Sequence, residues 1–212
     1  MKKPTLILDM DGVVFRWSSQ LASFLKEENL WTQAIQDAID QHLFLDLDIT
    51  CGPGTRAKYH QSSWMADLEV WDEHVVETIH ALSEHFTLVG LTSFSEDPVA
   101  QSQRRKNLDK HFLGMFEEII MLPSMSPKRE QLARWANDPH VYFVDDTLKH
   151  VLEALEEWGP GRVCWFRGNE DVPHGAVGLH SWKDVKNWLH DHLGLSFPTD
   201  LTQTPTRSRL RP

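Results

Sequence analysis

The chain has 212 residues and a formal net charge of −10, with 31 acidic against 21 basic side chains. That balance disfavours a nucleic-acid polymer or an anionic membrane surface as partner and points to a small ligand. Two cysteines, Cys51 and Cys164, lie far apart in the chain and read as reduced thiols in a cytoplasmic protein; no apolar run is long enough to span a bilayer, and the one behind Met1 stops at Asp9, too early for a signal segment.

In chain order, the first element is the apolar run Thr5-Leu6-Ile7-Leu8, which reads as a central strand of a parallel sheet and breaks into Asp9-Met10-Asp11-Gly12. Two acids at the carboxyl end of a buried strand are costly as packing and point to a ligand crevice. Helical spacing follows over about 19–30 and 32–44, then a loop at Cys51-Gly52-Pro53-Gly54 and a helix over 73–85. A second strand, 86–91, ends in Thr92-Ser93, and Asp97-Pro98 opens another helix. On that helix Arg104-Arg105-Lys106 reads as a solvated face. A strand over 116–121 precedes Ser126-Pro127-Lys128, which reads as a helix start with Ser126 as N-cap and Lys128 in the first turn, where a cation opposes the helix dipole. The strand 140–144 ends in Asp145-Asp146. A helix over 147–158, a strand over 162–166, a loop over 168–178, and a helix opened by the capping box Ser181 to Asp184 complete the pattern. Residues 196–212 shift to Pro, Thr, Ser and Arg and read as a flexible tail. Strands alternating with helices predict an α/β fold, a doubly wound parallel sheet. The twelve histidines show no metal-ligand spacing and read as surface residues.

Carboxylates, hydroxyls and an ammonium placed at successive strand ends suit phosphoryl transfer. One carboxylate attacks phosphorus, a second moves a proton, Thr and Lys hold phosphate oxygens, and further acids hold a hard divalent cation.

In order, Asp9-x-Asp11-Gly12, Thr92, Lys128 and Asp145-Asp146 resemble the four motifs of the haloacid dehalogenase superfamily, in its phosphatase branch, over about residues 4–190. The resemblance implies that Asp9 is a nucleophile forming an aspartyl-phosphate, that Asp11 is the general acid and base, and that Thr92, Ser93 and Lys128 bind phosphate. It also implies Mg2+ held by Asp9, the Asp11 main-chain carbonyl and Asp146, with Asp145 nearby. The insert 16–71 resembles the small helical cap of that superfamily, so residues 1–15 and 72–195 form the expected core. Phe15, Arg16 and Trp17, just beyond the catalytic turn, are the expected specificity residues, and the insert's aromatics Trp17, Phe24, Trp31, Phe44, Tyr59 and Trp64 suit either a core or a base-stacking surface.

Asp-Met-Asp-Gly-Val, Thr92-Ser93 and Lys110-His111-Phe112-Leu113-Gly114 also resemble the small 5′-deoxyribonucleotidases, although Phe94 stands where that group carries proline. A phosphorylated metabolite, foremost a nucleoside monophosphate, is the implied substrate, with a sugar phosphate or another small ester as the alternative. Two rival classes remain: a phosphoacceptor receiver domain, disfavoured because Lys128 precedes Asp145-Asp146, and a catalytically idle nucleotide-binding protein on the same fold.

Overall fold

The computed structural model describes residues 2–41, 45–167 and 171–193; the expected tail and Phe44 lie outside them. Six strands form one sheet: β1 (Thr5–Leu8), β2 (Thr87–Ser93), β3 (Phe116–Leu122), β4 (Val141–Asp145), β5 (Val163–Phe166) and β6 (Ala176–Leu179). Every neighbouring pair is parallel, in the order β3-β2-β1-β4-β5-β6. Residues alternate between faces along a strand, so Leu6 and Leu8 join one hydrophobic cluster and Ile7 the other, as Tyr142 and Val144 do against Val141 and Phe143. Both faces are thus covered, which is why the central strands read as continuous apolar runs.

The chain winds outward from β1 to β3 and then returns to β4 on the other side of β1. That reversal opens a crevice at the carboxyl ends of β1 and β4, where open α/β sheets take ligands.

Between β1 and β2 lies a helical insert made of α1 (Leu21–Glu27), α2 (Gln33–Asp40), α3 (Leu47–Thr50), α4 (Thr55–Gln61) and a 3-10 turn (Ser63–Asp67), before the core helix α5 (Val75–His85). Helix α4 was not expected from sequence. Its N-cap is Gly54 with a φ of 83°, and its buried face is Thr55, Tyr59 and His60, so neither a polar cap nor an apolar stripe announces it. The segments that enter and leave the insert are tied together: Arg16 N–H donates to the Glu69 carbonyl (2.9 Å) and Trp71 N–H to the Val14 carbonyl (2.8 Å), flanking an antiparallel bridge between Phe15 and Val70.

The remaining helices are α6 (Pro98–Phe112), α7 (Arg129–Leu132), α8 (Leu148–Trp158) and α9 (Trp182–Leu193). Asp97 caps α6 by accepting from the amides of Val99 and Ala100, both at 2.9 Å, with proline at the first position. Ser181 and Asp184 cap α9 in a variant of the expected capping box: Ser181 Oγ accepts the Asp184 amide (3.2 Å) and its hydroxyl donates to the Asp184 carboxylate (2.8 Å), which accepts the His180 amide (3.3 Å) rather than that of Ser181. Strand β6 replaces part of the expected loop 168–178; at four residues with a glycine inside, it carried too little pattern to stand out. No helix among the described residues is long and apolar enough to cross a membrane.

Candidate active site

Strand β1 delivers Asp9 directly: its amide continues the ladder by donating to the Val144 carbonyl (2.9 Å), and the chain then turns through Gly12. Gly12 has a φ of 85°, and a Cβ there would lie 1.9 Å from Asp146 Oδ2, so glycine meets both the left-handed backbone and the close approach of that acid. Strand β4 ends in Asp145, fully buried, and Asp146 follows.

Lys128 lies between the two strand ends. It is buried, and its Nζ donates to Asp9 Oδ1 at 2.6 Å and to Asp145 Oδ2 at 2.7 Å. Lys128 therefore sits at the site, but not as the sequence suggested. It is itself the N-cap position of α7 and Ser126 caps nothing; the Glu153 carboxylate on α8 accepts the Lys128 amide (2.8 Å) and the Arg129 amide (3.2 Å) instead. An acid 25 residues away in sequence fixes the backbone that presents the lysine.

Thr92, at the end of β2, is buried and lines the same cavity as Asp9, Asp11, Lys128 and Asp146. Ser93 also reaches that cavity, but its hydroxyl donates to the Ser126 carbonyl (2.8 Å) and so ties down the loop before Lys128. Asp145 accepts the Thr147 amide (2.8 Å), and His150 Nδ1 approaches it at 3.4 Å.

The electrostatics follow from this packing. Burial pushes Asp9 up to about 7, with Lys128 opposing and the charges of Asp145 and Asp11 adding to the rise. Burial, then Asp9 and Asp145, raise Asp146 well above the ordinary carboxylate value. Burial alone would raise Asp145, but Lys128 and His150 outweigh it and hold that carboxyl low. Lys128 stays protonated: burial works against the charge and the two carboxylates more than restore it.

Carboxylate oxygens of Asp9, Asp145 and Asp146 lie within 4.8 Å of one another. Three carboxylates share one buried ammonium, which leaves negative charge uncompensated, and that repulsion adds to burial in raising Asp9 and Asp146. An all-oxygen donor set with surplus negative charge fits a hard divalent cation.

Two features escaped sequence reasoning. Arg104, expected on a solvated face, is completely buried on α6, and its Nη2 contacts Asp11 Oδ1 at 2.5 Å. The guanidinium lies over Phe94 (4.7 Å) and Phe15 (5.6 Å), and its Nε and Nη1 have no hydrogen-bond partner. The signal was present, since Ala100, Arg104, Leu108 and Phe112 recur every fourth residue and form the buried stripe of α6. Secondly, His60 and His150, expected at the surface, are buried. His60 stacks on Phe94 (4.4 Å) and accepts the Trp17 indole N–H (3.3 Å), and burial, with Arg104 and Arg56, lowers its pKa to about 3.

The three expected specificity residues separate. Arg16 and Trp17 line the cavity of about 480 Å3, together with Ile39, Leu45 and Arg56 of the insert. Phe15 does not: it is fully buried against Phe112, His111 and Arg104, because its amide folds back onto the Met10 carbonyl (2.8 Å) and turns the ring inward.

No family model matches the chain. A curated relative, an uncharacterized 32.4 kDa protein of the Gp30-rIII intergenic region of Enterobacteria phage T4, is 29% identical over 195 residues, spanning 88% of this chain and 70% of that protein. Among solved structures, the HAD-hydrolase YfnB of Bacillus subtilis bound to magnesium superposes with a TM-score of 0.61 at 13% identity, covering 92% of this chain and all of that one (100%). A predicted phosphatase from Clostridium acetobutylicum gives 0.61 at 15% identity (92% and 100%). A predicted phosphoglycolate phosphatase from Haemophilus somnus gives 0.58 at 15% (88% and 98%). At these identities the likeness is one of architecture, and the chain has the fold of the haloacid dehalogenase superfamily hydrolases.

Proposed function

We propose that this protein is a magnesium-dependent phosphomonoester hydrolase working through an aspartyl-phosphate, on a small phosphorylated metabolite and foremost a nucleotide. The observation that carries the reading is the Lys128 ammonium held between Asp9 and Asp145 at 2.6 and 2.7 Å, with Asp146 beside them, at the point where the sheet reverses. A receiver domain needs no helical insert over its acidic cluster, and an idle binding protein needs no buried ammonium between two acids.

In this reading Asp9 attacks phosphorus through the carboxylate oxygen, and the leaving alkoxide takes its proton from Asp11. Asp11, then ionised, removes a proton from water, which attacks the aspartyl-phosphate and releases inorganic phosphate while Asp9 is regenerated. Lys128 and the Thr92 hydroxyl bind the phosphate oxygens. Asp9, Asp146 and the Asp11 carbonyl would hold the cation, which offsets the negative charge of nucleophile and substrate when bound. The insert acts as a cap that excludes water from the cavity, strengthening every charge interaction inside it. Trp17 faces the organic part of the substrate, and the finer nucleotide assignment rests on its aromatic face.

Phosphate release from an aryl phosphate and from a panel of nucleotides and sugar phosphates tests this directly. Asp9→Asn is expected to abolish turnover, because an amide does not attack phosphorus. Rates that are the same in chelator and in magnesium would contradict the cation assignment. Turnover of a sugar phosphate with nucleotides ignored would remove the nucleotide refinement and leave the hydrolase.

A further inference from the structure

The cavity is charged differently at its two ends. Its floor holds Asp9, Asp11, Asp146 and Lys128; the other charged side chains that line it are Arg16, Arg56, Lys149 and Arg167, all cations, in a chain where acids outnumber bases. Arg56 is engaged, with its guanidinium 3.1 Å from Asp46 and 3.5 Å from the Ser124 hydroxyl. Arg16, Lys149 and Arg167 have no ion-pair partner among the described residues.

Two of these three are held in place without being neutralised. Arg16 Nε donates to the Trp71 carbonyl (2.7 Å), which leaves its terminal nitrogens unspent, and its guanidinium carbon stands 5.8 Å from the Trp71 ring. Arg167 lies over the same ring at 4.3 Å. A guanidinium stacked on an indole keeps its N–H edge available for an anion and loses less freedom on binding one. Arg167 also holds a φ of 60°, a left-handed conformation uncommon for a side chain of its kind. Arg16 follows β1, Lys149 follows β4 and Arg167 follows β5, three consecutive strands of the sheet, and all three line the one cavity.

The phosphate to be cleaved is already provided for at the floor by Lys128, Thr92 and the cation. We infer that the substrate carries a second anionic group, a phosphate or a carboxylate, remote from the phosphate that is cleaved, and that Arg16, Lys149 and Arg167 receive it. This rests on the hydrolase reading and narrows it from any small ester to a doubly anionic one. A cavity of about 480 Å3 is large enough for a compound of that kind.

The test compares matched substrates in magnesium: adenosine 5′-monophosphate with adenosine 3′,5′-bisphosphate, fructose 6-phosphate with fructose 1,6-bisphosphate, and ethyl phosphate with 2-phosphoglycolate. In the unmodified protein the doubly anionic member of at least one pair is expected to have a kcat/KM higher by about tenfold or more, chiefly through KM. The bisphosphate pairs and the carboxylate pair say which anion is taken. In Arg16→Gln/Arg167→Gln that ratio is expected to fall to about one. Equal kcat/KM for both members of all three pairs would overturn the inference, as would a preference that survives in the double variant. If the cations only attract anions at large, both members of a pair lose rate together and the ratio stays put, which also overturns it. Calorimetric titration of the doubly anionic compounds into Asp9→Asn, with and without the two Arg substitutions, reads the same site without turnover. A protein that binds them through Arg16 and Arg167 yet hydrolyses nothing would keep this inference and sink the hydrolase; one that hydrolyses aryl phosphate and ignores the second charge does the reverse.

Discussion

Lys128 and Arg104 are both buried cations that pair with acids of the cavity floor, and the protein treats them in opposite ways. Lys128 is gripped by two carboxylates that are themselves buried, Asp9 and Asp145, and its backbone is pinned by Glu153. Arg104 meets one carboxylate, Asp11, which keeps 23% of its side chain exposed, and otherwise rests on Phe94, Phe15 and Met65 with two nitrogens unpaired. The cost of removing a buried cation is set mainly by what it leaves behind. Lys128 would leave two buried acids; Arg104 would leave an acid that already reaches water.

The largest effect should come from Lys128→Met. Losing one partner of a buried pair typically costs about 3–5 kcal/mol, and urea unfolding should show it together with loss of phosphatase activity. An unchanged unfolding midpoint would mean that the two acids are not held by the lysine. Asp11→Asn comes next, with turnover slowed by roughly 10²–10⁴, the range for losing a positioned acid or base, and with a loss of stability as well, because the buried Arg104 guanidinium is left without its carboxylate. Arg104→Met sharpens the contrast. Methionine fills the same apolar niche, so stability should shift by no more than about 1 kcal/mol, whereas kcat should fall roughly 10- to 100-fold as Asp11 loses the group that places it. Arg104→Lys should restore part of that kcat, and a variant as unstable as Lys128→Met would erase the distinction.

The smallest effect is a pH dependence in chelator. Asp9, raised to about 7 by burial, keeps its proton in the folded state between about 4 and 7, while the unfolded chain has released it. The folded state binds more protons there, so this group's contribution to stability falls as pH rises through that window. Asp9→Asn removes the titration. The melting temperature of the variant minus that of the unmodified protein should therefore grow from pH 5 to pH 8 in chelator. A difference independent of pH would show that Asp9 titrates normally.

Much of the floor was readable from local pattern, because several of its residues sit at or just past the ends of apolar strands: Asp9 after Leu8, Thr92 near the end of β2, Asp145 at the end of β4. Most of what failed depended on distant chain. Ser126 looked like a cap because its neighbours are right, but Glu153, brought in by α8, holds the amides instead. Phe15 looked like a substrate contact because it adjoins the turn, yet the bridge to Val70 and the bond to Met10 rotate it into the core. Arg104 was hidden by its charged neighbours Arg105 and Lys106, although its four-residue spacing from Ala100 and Leu108 placed it on the buried face. At the rim of the cavity Arg16 was expected from its place beyond the turn, whereas Lys149 and Arg167 were out of reach, since they join it only when β1, β4 and β5 lie side by side.

Gly12 binds two histories together. Any side chain introduced there collides with Asp146, and the backbone angle resists it as well. A saturation library at this position should return glycine alone among active clones, and no compensating swap at Asp146 would rescue the others without removing a proposed cation ligand. The turn that presents the proposed nucleophile and the acid proposed to anchor a cation cannot drift apart by single steps, so their co-occurrence in a distant chain is a sharper mark of shared chemistry than either one alone.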